Sequence, residues 1–230
     1  MRMFKWFALL CLLLVPLAVY ADEPAEGRAG RAEVRFMEGM VDHHQMAIDM
    51  SQVCLEKATT ESVRQLCQEI IDKQGVEITT FQGWLADWYQ IQYQSMSMMA
   101  TMSGCPATED MAEQQACMMQ GMMMQPGNMM HGMATEEAGM MADMAMDPPG
   151  MMGMMAFLNR TEGPAFEVAY LEAMADHHDD AIHMAQRIQS QAQHQPLLDM
   201  AQQIIDDQTA EIERIEQLLT ELVEPAATSG

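Results

Sequence analysis

Across 230 residues, 34 acidic side chains stand against 11 lysines and arginines, a formal net charge of −23 at pH 7. That balance argues against nucleic acid and anionic membrane surfaces as partners, because both would repel the chain. It leaves cations open, and the 30 methionines make soft cations the first class to consider.

Arg2 and Lys5 precede an apolar run from Phe7 to Val19, and Val19-Tyr20-Ala21 offers a cleavage point before Asp22. This pattern predicts a secretory signal peptide over 1–21, with the mature chain exported to a periplasmic or extracellular space. The run is short for a membrane span, and no later segment is apolar enough to insert. A short flexible stretch is expected over 22–30.

From 31 to 94 the sequence reads as a helical hairpin. Apolar residues recur at spacings of three and four: Met40, Ala47, Met50 and Cys54, then Leu66, Ile70 and Trp84. The turn falls at Thr60-Glu61. Cys54 and Cys67 lie nearly symmetrically about it, so they sit level across the hairpin, and an oxidising compartment makes a disulfide between them a candidate.

The next segment, 95–155, holds 21 of the 30 methionines. Gly, Pro and Ser interrupt it, and adjacent methionines such as those in "MMQGMMMQ" cannot share one helix face. Short helices are expected at "ATEDMAEQQACMMQ" and "ATEEAGMMADMA", with Thr108 and Thr135 as N-caps. Cys105 and Cys117 either pair or serve as soft ligands.

A second hairpin is expected over 156–224, with Pro196 in the first turn of its second helix and a disordered tail over 225–230. It is a copy of the first. Adding 134 to the numbers of "VDHHQMAIDMSQ" gives "ADHHDDAIHMAQ", placing Met40 on Met174, His43 on His177, His44 on His178 and Met50 on Met184. "EIIDKQGVEI" likewise falls on "QIIDDQTAEI". Such an internal repeat governs the reading of the whole chain. Two hairpins, each with one apolar face, bury those faces against each other, which predicts an all-α, antiparallel four-helix bundle.

On a wheel of about 100° per residue, each histidine pair shares the inward face with its methionines. Gln74 and Glu77 fall on the inward face of the second helix, as do Gln208 and Glu211 in the copy. Buried polar groups must be satisfied. In one reading the histidines hydrogen-bond the glutamates and fix the bundle's register. In the other, imidazoles and thioethers bind a metal: Met40, His43, His44, Met46 and Met50 in one repeat, Met174, His177, His178, His183 and Met184 in the other. Gln74, Glu77, Gln208 and Glu211 then support the ligands. Thioether sulfur favours Cu(I), with Ag(I) and Cu(II) as further candidates. The Met-rich segment adds Met118, Met119, Met122, Met123, Met129, Met130, His131 and Met133. Its alternatives are an adaptable surface for a partner helix and an oxidant sink. Zinc-finger spacings are absent, as is any Glu-x-x-His of the di-iron kind.

The motif Met-x-x-His-His-x-x-Ala-Ile-x-Met, here Met40 to Met50 and Met174 to Met184, is followed by Gln-x-x-Glu-Ile, here Gln74 to Ile78 and Gln208 to Ile212. Together they resemble the ferritin-like domain-of-unknown-function family 305. Two copies with a Met-rich insert are similar to a periplasmic copper-binding protein linked to copper resistance. The resemblance implies a ferritin-like bundle, copper as cargo and other envelope copper-handling proteins as partners. The expectation is therefore an exported protein that sequesters or carries copper without turnover. A copper oxidase or a partner-binding helical protein are the alternatives.

Overall fold

A computed structural model describes residues 23–95 and 148–223, the side chains of 148–153 excepted. The expected signal peptide, the two short helices with Cys105 and Cys117, and the C-terminal tail lie outside the described residues.

Among the described residues every regular element is helical. The elements are α1 (Gly27–Lys57), α2 (Glu61–Tyr89), α3 (Pro148–Arg160), α4 (Gly163–Gln189) and α5 (Gln195–Val223). α1 packs along α2 and α4 along α5, and the two hairpins meet chiefly through α1 and α4. Lys73 and Arg214 add ion pairs between α2 and α5. The result is a four-helix bundle, and none of the described helices is long and apolar enough to cross a membrane.

α1 begins at Gly27, earlier than the apolar period alone suggests. A Cβ on Gly30 would lie 2.0 Å from the Ala25 carbonyl oxygen, so the chain enters α1 by a close approach that only glycine permits. α3 straddles the expected boundary at 155. Pro148 and Pro149 occupy its first turn, where a missing N–H leaves no helix bond unmade. Its Met155 and Leu158 are fully buried against α1 and α4. At its far end Lys57 donates to the carbonyls of Leu158 (3.2 Å), Asn159 (2.6 Å) and Thr161 (3.1 Å).

Within each hairpin the turn is short, 58–60 and 190–194, and each turn is held by a carboxylate from the other hairpin. Glu167 of α4 accepts from the backbone N–H groups of Thr59 (2.5 Å) and Thr60 (2.8 Å) and from both hydroxyls. Glu33 of α1 accepts from the N–H groups of Gln193 (2.6 Å) and His194 (3.0 Å), the His194 ring and the Tyr89 hydroxyl. Glu33 plus 134 is Glu167, and Thr59 and Thr60 plus 134 are Gln193 and His194. The clasp is thus one interaction made twice, and it fixes the register of hairpin on hairpin. Burial pushes both carboxyls up. Their hydrogen bonds outweigh it and hold both below the usual carboxylate range.

The core divides into two apolar clusters. One holds Met46, Met50, Leu66, Ile70, Tyr170 and Met174 together with Cys54 and Cys67, which form a disulfide. The other holds Phe36, Met40, Phe81, Leu85, Met184 and Leu197. Neither cluster includes the four central histidines, which α1 and α4 bury where they cross.

Candidate metal centre

The i, i+3, i+4 spacing on α1 and α4 delivers the histidine motifs to the bundle interior. His43, His44, His177 and His178 are all at most 4% exposed. Ala47 and Ala181 share their faces and are fully buried; being small, they let the two helices approach. The rings of His43 and His177 consequently meet, centroids 3.7 Å apart and planes tilted by 42°. These are equivalent residues of the two repeats, so their contact lies on the axis relating one hairpin to the other.

The neighbouring pair faces the second helix of each hairpin. His44 Nε2 is 2.6 Å from Glu77 Oε2, and His178 Nε2 is 2.8 Å from Glu211 Oε2. Both are close contacts by distance, but neither has the alignment of a hydrogen bond, and all four ring nitrogens of His44 and His178 are without an aligned partner. No hydrogen-bond partner of good geometry reaches either nitrogen of His43 or His177, nor the amides of Gln74 and Gln208. So many unpartnered buried polar atoms are uncommon in a finished core. Burial, followed by the charges neighbouring histidines would carry, holds the imidazoles of His43 and His177 well below their ordinary pKa. They are neutral at pH 7, with lone pairs free to bind a ligand.

The thioethers flank this layer. Because α1 and α4 run antiparallel, Met40 shares its cluster with Met184, and Met50 shares its cluster with Met174 and Met46. Gly39 faces Met184 across this crossing: a Cβ there would stand 3.4 Å from Met184 Cε, in ordinary contact. Each repeat thus places its early methionine beside the late methionine of the other.

His183 is not brought to this interior. It is exposed, with Nδ1 2.8 Å from the Asp179 carbonyl oxygen. Five residues beyond His178 is about 140° around the helix, which turns it to solvent. Met118, Met119, Met122, Met123, Met129, Met130, His131 and Met133 lie outside the described residues. The chain leading toward them is fixed at its start: Gln90 takes the left-handed conformation (φ 59°) that ends α2. Tyr93 then donates to Asp42 at 2.5 Å and Ser95 to Gln45 at 3.1 Å, beside the histidine layer.

One contributor to the site was not read from the sequence. Lys73 donates to Glu211 at 2.7 Å and lies 3.6 Å from Asp207. Its signal was there: position 73 of one repeat is Lys and its counterpart 207 is Asp. The charge reversal shows only once the repeats are laid face to face.

Among the described residues no group of three or more His, Cys, Asp or Glu is placed to hold a metal ion. The donors assembled here are neutral imidazoles and thioethers, a set suited to soft monovalent cations. Glu77 and Glu211 stand where a carboxylate commonly supports an imidazole ligand from behind.

The family model described as Domain of unknown function (DUF305) matches residues 33–219. No curated protein matches the chain. Among solved structures, CopM in the Cu(II)-bound form is 23% identical, with 82% of this chain and 96% of that one covered, at a TM-score of 0.54. CopM in the Cu(I)-bound form is 19% identical, covering 84% and 98%, also at 0.54. A putative secreted DUF305 protein from Streptomyces coelicolor is 23% identical, covering 86% and 96%, at 0.56. At these identities the likeness is one of fold.

Proposed function

The chain belongs to the DUF305 family, and from that premise we propose that it is an exported copper-binding protein, one that sequesters or carries Cu(I) and also takes Ag(I) or Cu(II). The observation that carries this reading is the buried layer of four histidines, two of them neutral and without hydrogen-bond partners, flanked by methionines. Solved structures of similar fold carry copper in both oxidation states and silver, which supports the same cargo.

The roles follow from chemistry. Glu77 and Glu211 lie close against His44 and His178, whose ring nitrogens have no aligned hydrogen-bond partner and are open to a cation. His43 and His177 stay uncharged, so a cation entering the layer need displace no proton from them at neutral pH. Met40, Met46, Met50, Met174 and Met184 supply sulfur that neither protonates nor forms disulfides, which suits an acidic, oxidising compartment. The Met-rich segment, with Met118 to Met133 and His131, adds labile sites that load or unload the bundle. Export follows from the expected leader over 1–21, and copper-handling proteins of the cell envelope are the exchange partners. The protein binds its cargo and performs no turnover.

The test is an anaerobic titration of the full mature chain with Cu(I) against a chelator, with X-ray absorption at the copper edge. Sulfur and nitrogen ligation that outcompetes the chelator is expected. His43→Phe with His177→Phe should lower the nitrogen component, leaving what His44 and His178 supply. Failure to compete, or an edge unchanged by the double substitution, would sink the layer as the site.

A further inference from the structure

The two halves of the histidine layer are built from equivalent residues but differ in charge. Glu211 is shared: His178 Nε2 lies 2.8 Å from one oxygen and Lys73 Nζ 2.7 Å from the other. The lysine is half-buried and also 3.6 Å from Asp207, its own counterpart in the repeat. Glu77 has His44 at 2.6 Å, and among the described residues no lysine or arginine pairs with it. Where the second half has Lys73, the first has Asp207. Glu77 is also the drier carboxylate, its side chain 4% exposed against 12% for Glu211. Arg214 does not even out the difference, because it pairs with Glu69.

We propose that Lys73 makes the layer two unequal sites for a soft monovalent cation, a tight one at His44–Glu77 and a weaker, faster-exchanging one at His178–Glu211. The inference rests on the metal reading above and adds the order of filling. A cation approaching His178 meets the lysine's positive charge. It also meets a glutamate whose negative charge is already partly spent on Lys73, so the ring is a poorer donor. A cation approaching His44 meets a carboxylate that no lysine or arginine pairs with directly and that Lys73 influences only weakly, at longer range. Burial pulls the lysine's pKa down, but Glu211, Asp207 and, most weakly, Glu77 together raise it, so the charge is present at every working pH. Glu211 is correspondingly held ionised against its burial by His178 and Lys73. One unit charge at this range, screened by partial exposure, supports a difference of about tenfold in affinity.

The experiment is a titration of the full mature chain with Ag(I), following the ring C–H resonances of His44 and His178 separately by NMR. The His44 signals should move first, with about tenfold tighter half-saturation. Lys73→Gln should bring the two within about twofold, and Lys73→Arg should keep the original order. Simultaneous movement in the unsubstituted protein, or a Lys73→Gln ratio equal to the original, overturns the inference and leaves the metal reading intact. If no histidine resonance moves in any variant, the metal reading falls and the inference with it.

Discussion

The two hairpins share a plan and differ in how they fill it. At the level where Cys54 and Cys67 are bonded in the first, the second has Ile188 and Ala201, both buried in the opposite apolar cluster. Where Ser51 and Tyr170 share a buried hydrogen bond of 2.8 Å, the equivalent positions are Ala185 and Phe36, apolar and fully packed. Against these exchanges, the histidine pairs, their glutamates and the clasp residues Glu33 and Glu167 are the same in both. The histidine contact and the two clasp carboxylates thus use one residue type in both halves, whereas the Cys54–Cys67 and Ser51–Tyr170 positions are filled once with covalent or polar chemistry and once with hydrocarbon. An interior accepts either solution so long as volume is filled and polar atoms are paired.

The comparison is most exposed at the clasp. Glu167→Ala and Glu33→Ala each remove the acceptor of several part-buried backbone and side-chain donors, and each should cost about 3 kcal/mol. Denaturant unfolding of the two variants should give equal losses. A loss below about 1 kcal/mol in one alone would show that the two ends are not equivalent.

Next in size is the cross-link. Replacing Cys54 with Ile and Cys67 with Ala installs the other hairpin's pair at this level. The packing is then supplied and only the tether is lost, which for so short a loop is about 3 kcal/mol. Equal unfolding midpoints before and after would mean that the apolar pair fully replaces the bond.

The histidine layer, where the halves are most alike, predicts a pH dependence for the metal-free protein. His43 and His177 have depressed pKa values in the folded state, so the unfolded chain binds their protons first as pH falls. Stability is complete above about pH 6.5 and declines below it, by up to about 1.4 kcal/mol per histidine per pH unit. Unfolding measured at pH 7.5, 6.5 and 5.5 should show the decline, and His177→Gln should halve its slope. The clasp carboxylates have lowered pKa values, so their contribution goes only below the ordinary carboxylate range, a separate window.

The smallest effect is at Ser51 and Tyr170. Either Ser51→Ala or Tyr170→Phe leaves one hydroxyl buried without its partner and should cost about 1 kcal/mol. The double substitution recreates the Phe36–Ala185 contact of the other half and should recover most of that loss. A double variant as unstable as the sum of the singles would show that the two sites pack differently.

Much of this was legible in the sequence because it is periodic. The offset of 134, the three-and-four spacing, the inward histidines and Pro196 beside the start of α5 all follow from pattern alone. What pattern could not supply was pairing in space. Glu33 and Glu167 occupy equivalent positions, but a glutamate's partner is named by the fold. Here it is the backbone of a turn more than one hundred residues away. α3 was hidden because its two prolines and two glycines break up the pattern, and only the fold shows that Met155 and Leu158 have an apolar surface to cover. His183 looked like an added ligand because it sits close in sequence to the pair. The helix's own rotation takes it away.

The reciprocal clasp has one more consequence. Beyond the bonds each turn makes within its own hairpin, each hairpin lends the other's turn a buried carboxylate. The covalent link between them therefore acts mainly through effective concentration, holding two complementary pieces near one another. A chain cut once between residue 95 and residue 148 should behave as a heterodimer of two fragments, with the disulfide confined to one of them and the histidine contact serving as their seam.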